Sequence, residues 1–127
     1  MPGLEAFSPK GMLHKGWSAQ VEDYVIACGW GLQGKAFLVG DSAGGIYSFK
    51  GKSGDVIWKK KYVHKGGLLA MSIHPDGKSF ATAGQDGRVL IWDSKEGGLG
   101  KDLDLGQGWA EHIKWSPDGK FLAVTLS

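Results

Sequence analysis

His74-Pro75-Asp76-Gly77-Lys78-Ser79-Phe80-Ala81-Thr82-Ala83-Gly84-Gln85-Asp86-Gly87-Arg88-Val89-Leu90-Ile91-Trp92-Asp93 is the stretch on which the reading of this chain turns. It holds two chain reversals and two short runs suited to strands. In Pro75-Asp76-Gly77, proline presets φ near about −65°, aspartate bonds the following backbone, and glycine accepts the φ that closes the turn. Lys78 to Gly84 is then a strand, Gln85-Asp86-Gly87 a second hairpin with Gly87 suited to a left-handed position, and Val89 to Trp92 a further strand. Upstream, Leu69, Met71 and Ile73 alternate with small or polar residues, the period of a strand. Downstream, the glycine-rich Glu96 to Gly100 leads into an outer strand over Leu99 to Leu105. The unit is four strands joined by tight turns.

The unit recurs. His74-Pro75-Asp76-Gly77-Lys78 returns as Ser116-Pro117-Asp118-Gly119-Lys120, 42 residues later, and Met71 with Ile113, Ile73 with Trp115 and Ala81 with Ala123 keep the register. One step back, Lys35 to Val39 lies over Lys78 to Thr82, and Ile46 to Phe49 over Val89 to Trp92. A period of about 40–45 residues is that of a four-stranded propeller blade. The 22 glycines and 6 tryptophans among 127 residues fit many short strands and turns, and no segment repeats apolar residues at helical spacing.

At Trp92-Asp93 the chain resembles the WD-repeat family, whose blades often carry a buried tetrad of histidine, serine or threonine, aspartate and tryptophan. The middle copy matches with His64, Thr82, Asp86 and Trp92, and His64 lies 11 residues before Pro75. In such a tetrad the aspartate fixes one imidazole tautomer and a hydroxyl links imidazole to indole, leaving few polar atoms unpaired. The first copy departs, with Val39, Ala43 and Phe49 at the matching places. It is similar instead to quinoprotein-type blades, through Gly45 to Phe49 and Ser53-Gly54-Asp55-Val56-Ile57-Trp58, with Trp58 expected to pack between blades. The third copy begins at Gly108-Trp109 and reaches only Leu122-Ala123-Val124 before Ser127.

The resemblance implies an all-β fold: a partial β-propeller of four-stranded antiparallel blades in an incomplete ring. Residues 1–20 are an N-terminal segment, extended or a closing strand; 21–62 are blade 1, 63–106 blade 2, and 107–127 the first half of blade 3. Propellers close with about four to eight blades. The missing blades are expected from the rest of a longer chain, the favoured reading, or from self-association; a third possibility is that residues 1 to 16 fold back. The implied function is a non-catalytic scaffold for a protein or peptide partner. Lys65, Gln85, Arg88, Gln107 and Trp109 are the candidate contact residues, on the blade-entering loops and the hairpin between second and third strands. Trp109 is equally compatible with packing between blades. The alternative function is part of a quinoprotein-like enzyme or cofactor carrier.

Composition and motifs bound the chemistry. A net charge of +2 without a concentrated basic face argues against a nucleic-acid partner. No apolar run suggests a membrane partner or a signal peptide, and the single cysteine, Cys28, excludes an intrachain disulfide, so a cytoplasmic setting is expected. His74 is expected as a surface turn residue, and His112 on the opposite face from Ile113. A zinc site from Cys28, His14 and another histidine lacks ligand spacing, so neither metal nor cofactor is expected. Cys28, within Val25 to Cys28, is expected to behave as a small buried hydrophobe. No nucleophile elbow is present, and Gly40 to Gly45 is a hairpin between strands, not a phosphate cradle leading into a helix. Lys59-Lys60-Lys61, with Lys65, is read as a solvated outer strand, or alternatively as a docking patch for an acidic partner.

Overall fold

The computed structural model describes residues 2–8 and 14–127. Within the N-terminal segment 1–20, residues 1 and 9–13 therefore lie outside the described part. The described residues form twelve strands and one 3-10 turn at Leu32–Gly34. Strands β3 (Val25–Gly31), β4 (Ala36–Asp41), β5 (Ile46–Lys50) and β6 (Val56–Lys60) make one antiparallel sheet in chain order, which is blade 1. Strands β7 (Leu68–Ile73), β8 (Ser79–Gly84), β9 (Arg88–Asp93) and β10 (Leu99–Asp104) make blade 2 in the same way. β11 (Ala110–Trp115) and β12 (Leu122–Leu126) pair as two inner strands of a further blade.

The remaining pair, β1 (Gly3–Ser8) and β2 (His14–Gln20), is a hairpin in the position of the two outer strands of a blade preceding blade 1. The registers show the equivalence. Ala6 lies opposite Trp17 in the hairpin, as Ser48 lies opposite Trp58 in blade 1. Each indole N–H then donates to a carbonyl of the next blade, Trp17 to Gly51 at 2.8 Å and Trp58 to Ser94 at 3.0 Å. The described part of the N-terminal segment is thus neither a single closing strand nor merely extended: β1 and β2 form an outer half-blade.

Alternation along each strand sends successive side chains to opposite faces, so each blade presents an apolar layer to both neighbours. Leu38 and Ile46 of blade 1 meet Leu68, Phe80, Leu90 and Trp92 of blade 2, with Trp58 stacked on Phe80 at 5.9 Å. Each such side chain, fully buried, contributes about 1.5–3 kcal/mol. The other face of blade 1, with Val39, Tyr47 and Phe49, is covered by Trp17 and Val21. The far face of blade 2, Ala81, Ala83 and Val89, meets Ala110 and Ile113 of the last strand pair.

Candidate functional site

Blade 2 carries a continuous polar chain through an apolar interior. The Trp92 indole N–H donates to Thr82 Oγ1 at 2.9 Å, and Thr82 Oγ1 lies 2.8 Å from His64 Nε2. His64 Nδ1 lies 2.9 Å from Asp86 Oδ1. All are satisfied when the threonine hydroxyl donates to Nε2 and the imidazole N–H at Nδ1 donates to the carboxylate. Thr82 and His64 are fully buried, and no open face of the hydroxyl remains for a substrate. Asp86 also accepts the Lys65 N–H and the Arg88 N–H, both at 3.1 Å, tying the loop before β7 to the β8–β9 hairpin. Gly84 makes room for the ring: a Cβ there would stand 2.5 Å from the imidazole.

The loops at this end of the blades brace one another. Gln85 N–H donates to Gly67 O at 3.1 Å, and in blade 1 Ser42 N–H donates to Tyr24 O at 2.8 Å. Leu105 N–H donates to Gly87 O at 3.0 Å, and a Cβ at Gly87 would strike the carbonyls of Gly106 and Gly108. The residues before the first strand of each blade and the second-to-third-strand hairpins therefore share one rim. Lys65, Gln107 and Trp109 are exposed on it, Trp109 at 48%, and Gln85 is half-buried.

Comparison with known proteins points to the same fold. Residues 46–93 match the WD domain, G-beta repeat family. The β-propeller domain of Cps50 (Swd1) from Myceliophteria thermophila superposes with a TM-score of 0.72 over 85% of this chain and 34% of that one, at 16% identity. The fold is thus that of a partial β-propeller, and residues 46–93 are similar to the WD repeat. The chicken p21-activated protein kinase-interacting protein 1-like is 42% identical over 62 residues, covering 48% of this chain and 16% of that protein. Protein HIRA of Dictyostelium discoideum is 35% identical over 82 residues, 53% of this chain and 7% of that protein. The chain thus matches a small fraction of the length of these relatives.

Several expectations change against this propeller frame. Arg88 is not a free contact residue: its guanidinium donates to Asp102 at 2.8 Å and approaches Asp104 at 3.5 Å on the adjacent strand. The hydrogen bond to Asp102 raises its pKa further, so it stays charged. The lysine run is divided among separate contacts. Lys59 is exposed, Lys60 lies 5.5 Å over the Trp92 ring, and Lys61 pairs with Glu22 at 2.7 Å. His74 is more than a surface turn residue: its Nε2 lies 3.0 Å from Gly119 O, and its ring meets Trp115 edge-on at 4.8 Å. Cys28 is exposed: it shares a face with its partner Val39, which Trp17 and Val21 cover, but that cover stops short of Cys28 on the innermost strand. His112 is exposed beside buried Ile113. Among the described residues no three His, Cys, Asp or Glu side chains group as metal ligands.

Residue-pattern reasoning missed three features. In blade 1, Asp41 is buried and its carboxylate accepts the Gly45 N–H and the Tyr47 hydroxyl, both at 2.7 Å. Burial, reinforced by that bond, pushes the Tyr47 phenol up to about 12. The others are Tyr24 and Tyr62, exposed at 74% and 72% on the loops entering blades 1 and 2. Tyr62 holds a φ of 55°, a left-handed conformation uncommon outside glycine, and borders a pocket of about 200 Å³ with Ala43 and Lys61. Tyr24 and Trp109 each stand directly before a blade's first strand, and Tyr62 lies in the loop between β6 and β7.

Proposed function

We propose that this chain is a non-catalytic WD-repeat scaffold that captures a protein or peptide on the rim bearing Tyr24, Tyr62, Lys65, Gln107 and Trp109. The observation that carries the reading is three large aromatic side chains left exposed on loops whose backbones are tied to rigid blades. Tyrosine and tryptophan dominate binding hot spots because they bury large area at little conformational cost. The relative from chicken is named for interaction with a protein kinase, which is consistent with a protein partner. A cytoplasmic setting belongs to the same proposal. The enclosed Thr82 and His64 support a structural, not a reactive, role for the tetrad. Selection of a displayed random-peptide library tests the reading. Peptides enriched on the native chain are expected to lose at least tenfold in affinity on Trp109→Ala or Tyr62→Ala. Failure to enrich any peptide, or enrichment indifferent to both substitutions, would overturn it.

A further inference from the structure

Three lysines line one cavity at the junction of the two complete blades, at the end opposite the aromatic rim. There the turns joining the first and second strands of each blade meet the β9–β10 hairpin around a space of about 330 Å³. Lys35 lines it from blade 1, and Lys78 and Lys95 from blade 2, together with Leu32, Gln33 and Asp76. Among the described residues none of these three ammonium groups is held in an ion pair, whereas Lys61 and Arg88, at the rim end, are paired with Glu22 and Asp102. We propose that this cavity binds a dianionic phosphate group, a site separate from the rim for partner capture and independent of it.

The charge of the lining selects the ligand. Three lysines less one aspartate leave +2. Asp76 counts as an anion, because the Lys78 N–H donates to its carboxylate at 2.8 Å and holds its pKa below the usual carboxylate range. A phosphate monoester carries about −1.5 to −2 near pH 7 and offers three strong acceptor oxygens. A carboxylate or a phosphodiester brings a single negative charge and would leave the lining with unmatched cations. Lysine suits the dianion, since its ammonium is a compact charge with three rotatable donors and needs no planar partner.

The repeat shows that this charge is particular to the junction. Lys35, Lys78 and Lys120 occupy one place in successive units, two residues after Gln33, Asp76 and Asp118. Asp76 and Asp118 cap their own turns, accepting the N–H of Lys78 and of Lys120. Blade 1 has the neutral Gln33 instead and closes its turn through the backbone, with Lys35 N–H donating to Leu32 O at 3.1 Å. An acid in place of Gln33 would halve the excess charge of the cavity. The turn that carries Lys35 is also firmly placed. Leu32 and Gln33 hold φ of 51° and 55°, a left-handed conformation uncommon outside glycine, and Leu32 N–H is anchored to Gly77 O of blade 2 at 2.9 Å. Such strain persists where the surroundings fix it and gathers at ligand sites. Lys35 and Lys78 therefore stand on two turns tied to each other.

NMR titration of the purified chain tests the proposal, with N-acetyl-phosphoserine amide, inorganic phosphate and N-acetyl-aspartate amide as probes. The phosphoserine compound is expected to shift the Lys35, Lys78 and Lys95 amides and to bind about tenfold more tightly than the aspartate compound. Tighter binding than inorganic phosphate assigns the phosphate to a partner chain, and equal binding assigns it to free phosphate. Lys78→Gln, Lys95→Gln and Gln33→Asp are each expected to weaken binding severalfold with an unchanged circular dichroism spectrum, aspartate being among the residues that tolerate a left-handed φ. Lys120→Gln removes the same charge from the same place in the next unit, outside the cavity, and is expected to leave binding unchanged. An aspartate compound that binds as tightly as the phosphoserine compound overturns the proposal. So does a loss on Lys120→Gln equal to that on Lys78→Gln, and so does the absence of any shift at the three lysine amides.

Discussion

Blade 2 anchors its hairpin with the Asp86 carboxylate at the tip and runs a polar chain from there through His64 and Thr82 to Trp92. Blade 1 has Val39, Ala43 and Phe49 at the equivalent places and uses a shorter device, Asp41 at the end of β4 bonded to Tyr47 on β5. One element is the same in both. Arg88 N–H donates to Asp86 Oδ1 at 3.1 Å, and Gly45 N–H donates to Asp41 Oδ1 at 2.7 Å. These amides sit at the same point, where the hairpin enters the third strand. The common requirement is thus a carboxylate on that amide. The histidine, threonine and tryptophan are one way of bracing the carboxylate, and a phenol is another. Moving the acid back onto the strand crowds the amide's residue: a Cβ on Gly45 would stand 2.7 Å from the Asp41 carboxylate. In blade 2 the acid lies in the hairpin, and an arginine fits.

The largest expected effect breaks the longer network at its apolar end. Trp92→Ala should cost about 3–5 kcal/mol, the range for truncating a large buried aromatic. It also leaves Thr82 short of a donor. Phe49→Ala removes a ring from the same place in blade 1 without orphaning a polar group, so its shift in urea midpoint should be smaller. Equal shifts would mean that the polar chain adds nothing to the packing. Thr82→Val isolates that contribution, since shape is retained while the Trp92 N–H and a His64 ring nitrogen lose their partner. A loss of about 2 kcal/mol is expected, as unpaired buried groups cost about 1–3 kcal/mol each before relaxation. The reciprocal Val39→Thr buries a hydroxyl among apolar neighbours in blade 1 and should cost about 1–3 kcal/mol. A neutral Thr82→Val would demote the tetrad to a passenger of the fold.

The same comparison shows what could be read from residues alone. His64, Thr82, Asp86 and Trp92 were legible because each is a distinctive residue type at a fixed distance from a Pro-Asp-Gly turn. Asp41 and Tyr47 were not, because pattern matching looked for an acid in the hairpin, and blade 1 places its acid two residues earlier. The outer half-blade was hidden for a different reason. The turn motif that marks the period belongs to the inner strands, and residues 1–20 contain none of it. The only repeated mark there is an indole, Trp17 before Trp58, whose meaning depends on the carbonyls of Gly51 and Ser94 in the next blade. Cys28 was misread because burial by alternation presumes a neighbour on both faces, and the inner part of its face has none among the described residues.

A pH titration sharpens the contrast without changing packing volume. Tyr47 is raised from 10.0 to about 12 in the fold, chiefly by burial, so the folded state favours the neutral phenol. An acid with a raised folded pKa contributes stability that is complete below its unfolded pKa and lost as pH rises toward the folded one. The loss therefore falls between pH 10 and about 12. Tyr47 is the one buried phenol among the described residues, and blade 2 contains none. Thermal midpoints followed from pH 9 upward should decline less steeply for Tyr47→Phe than for the native chain. Parallel curves would show that the fold does not hold the Tyr47 phenol in its neutral form.

The smallest effect concerns Arg88, and it separates the two things that residue supplies. Its amide holds the Asp86 carboxylate, as the Gly45 amide holds Asp41, whereas its guanidinium reaches Asp102 and Asp104 on the solvent side of β10. Exposed ion pairs gain little, because water screens them and two long side chains must be held in place. Arg88→Gln keeps the amide and removes the charge, so its urea midpoint should match that of the native chain, at low and high salt alike. Arg88→Pro removes the amide and should destabilise the blade clearly. If Arg88→Gln lowers the midpoint by as much as Arg88→Pro, the shared feature of the two blades is not the amide-to-carboxylate bond, and the equivalence drawn between Asp41 and Asp86 fails.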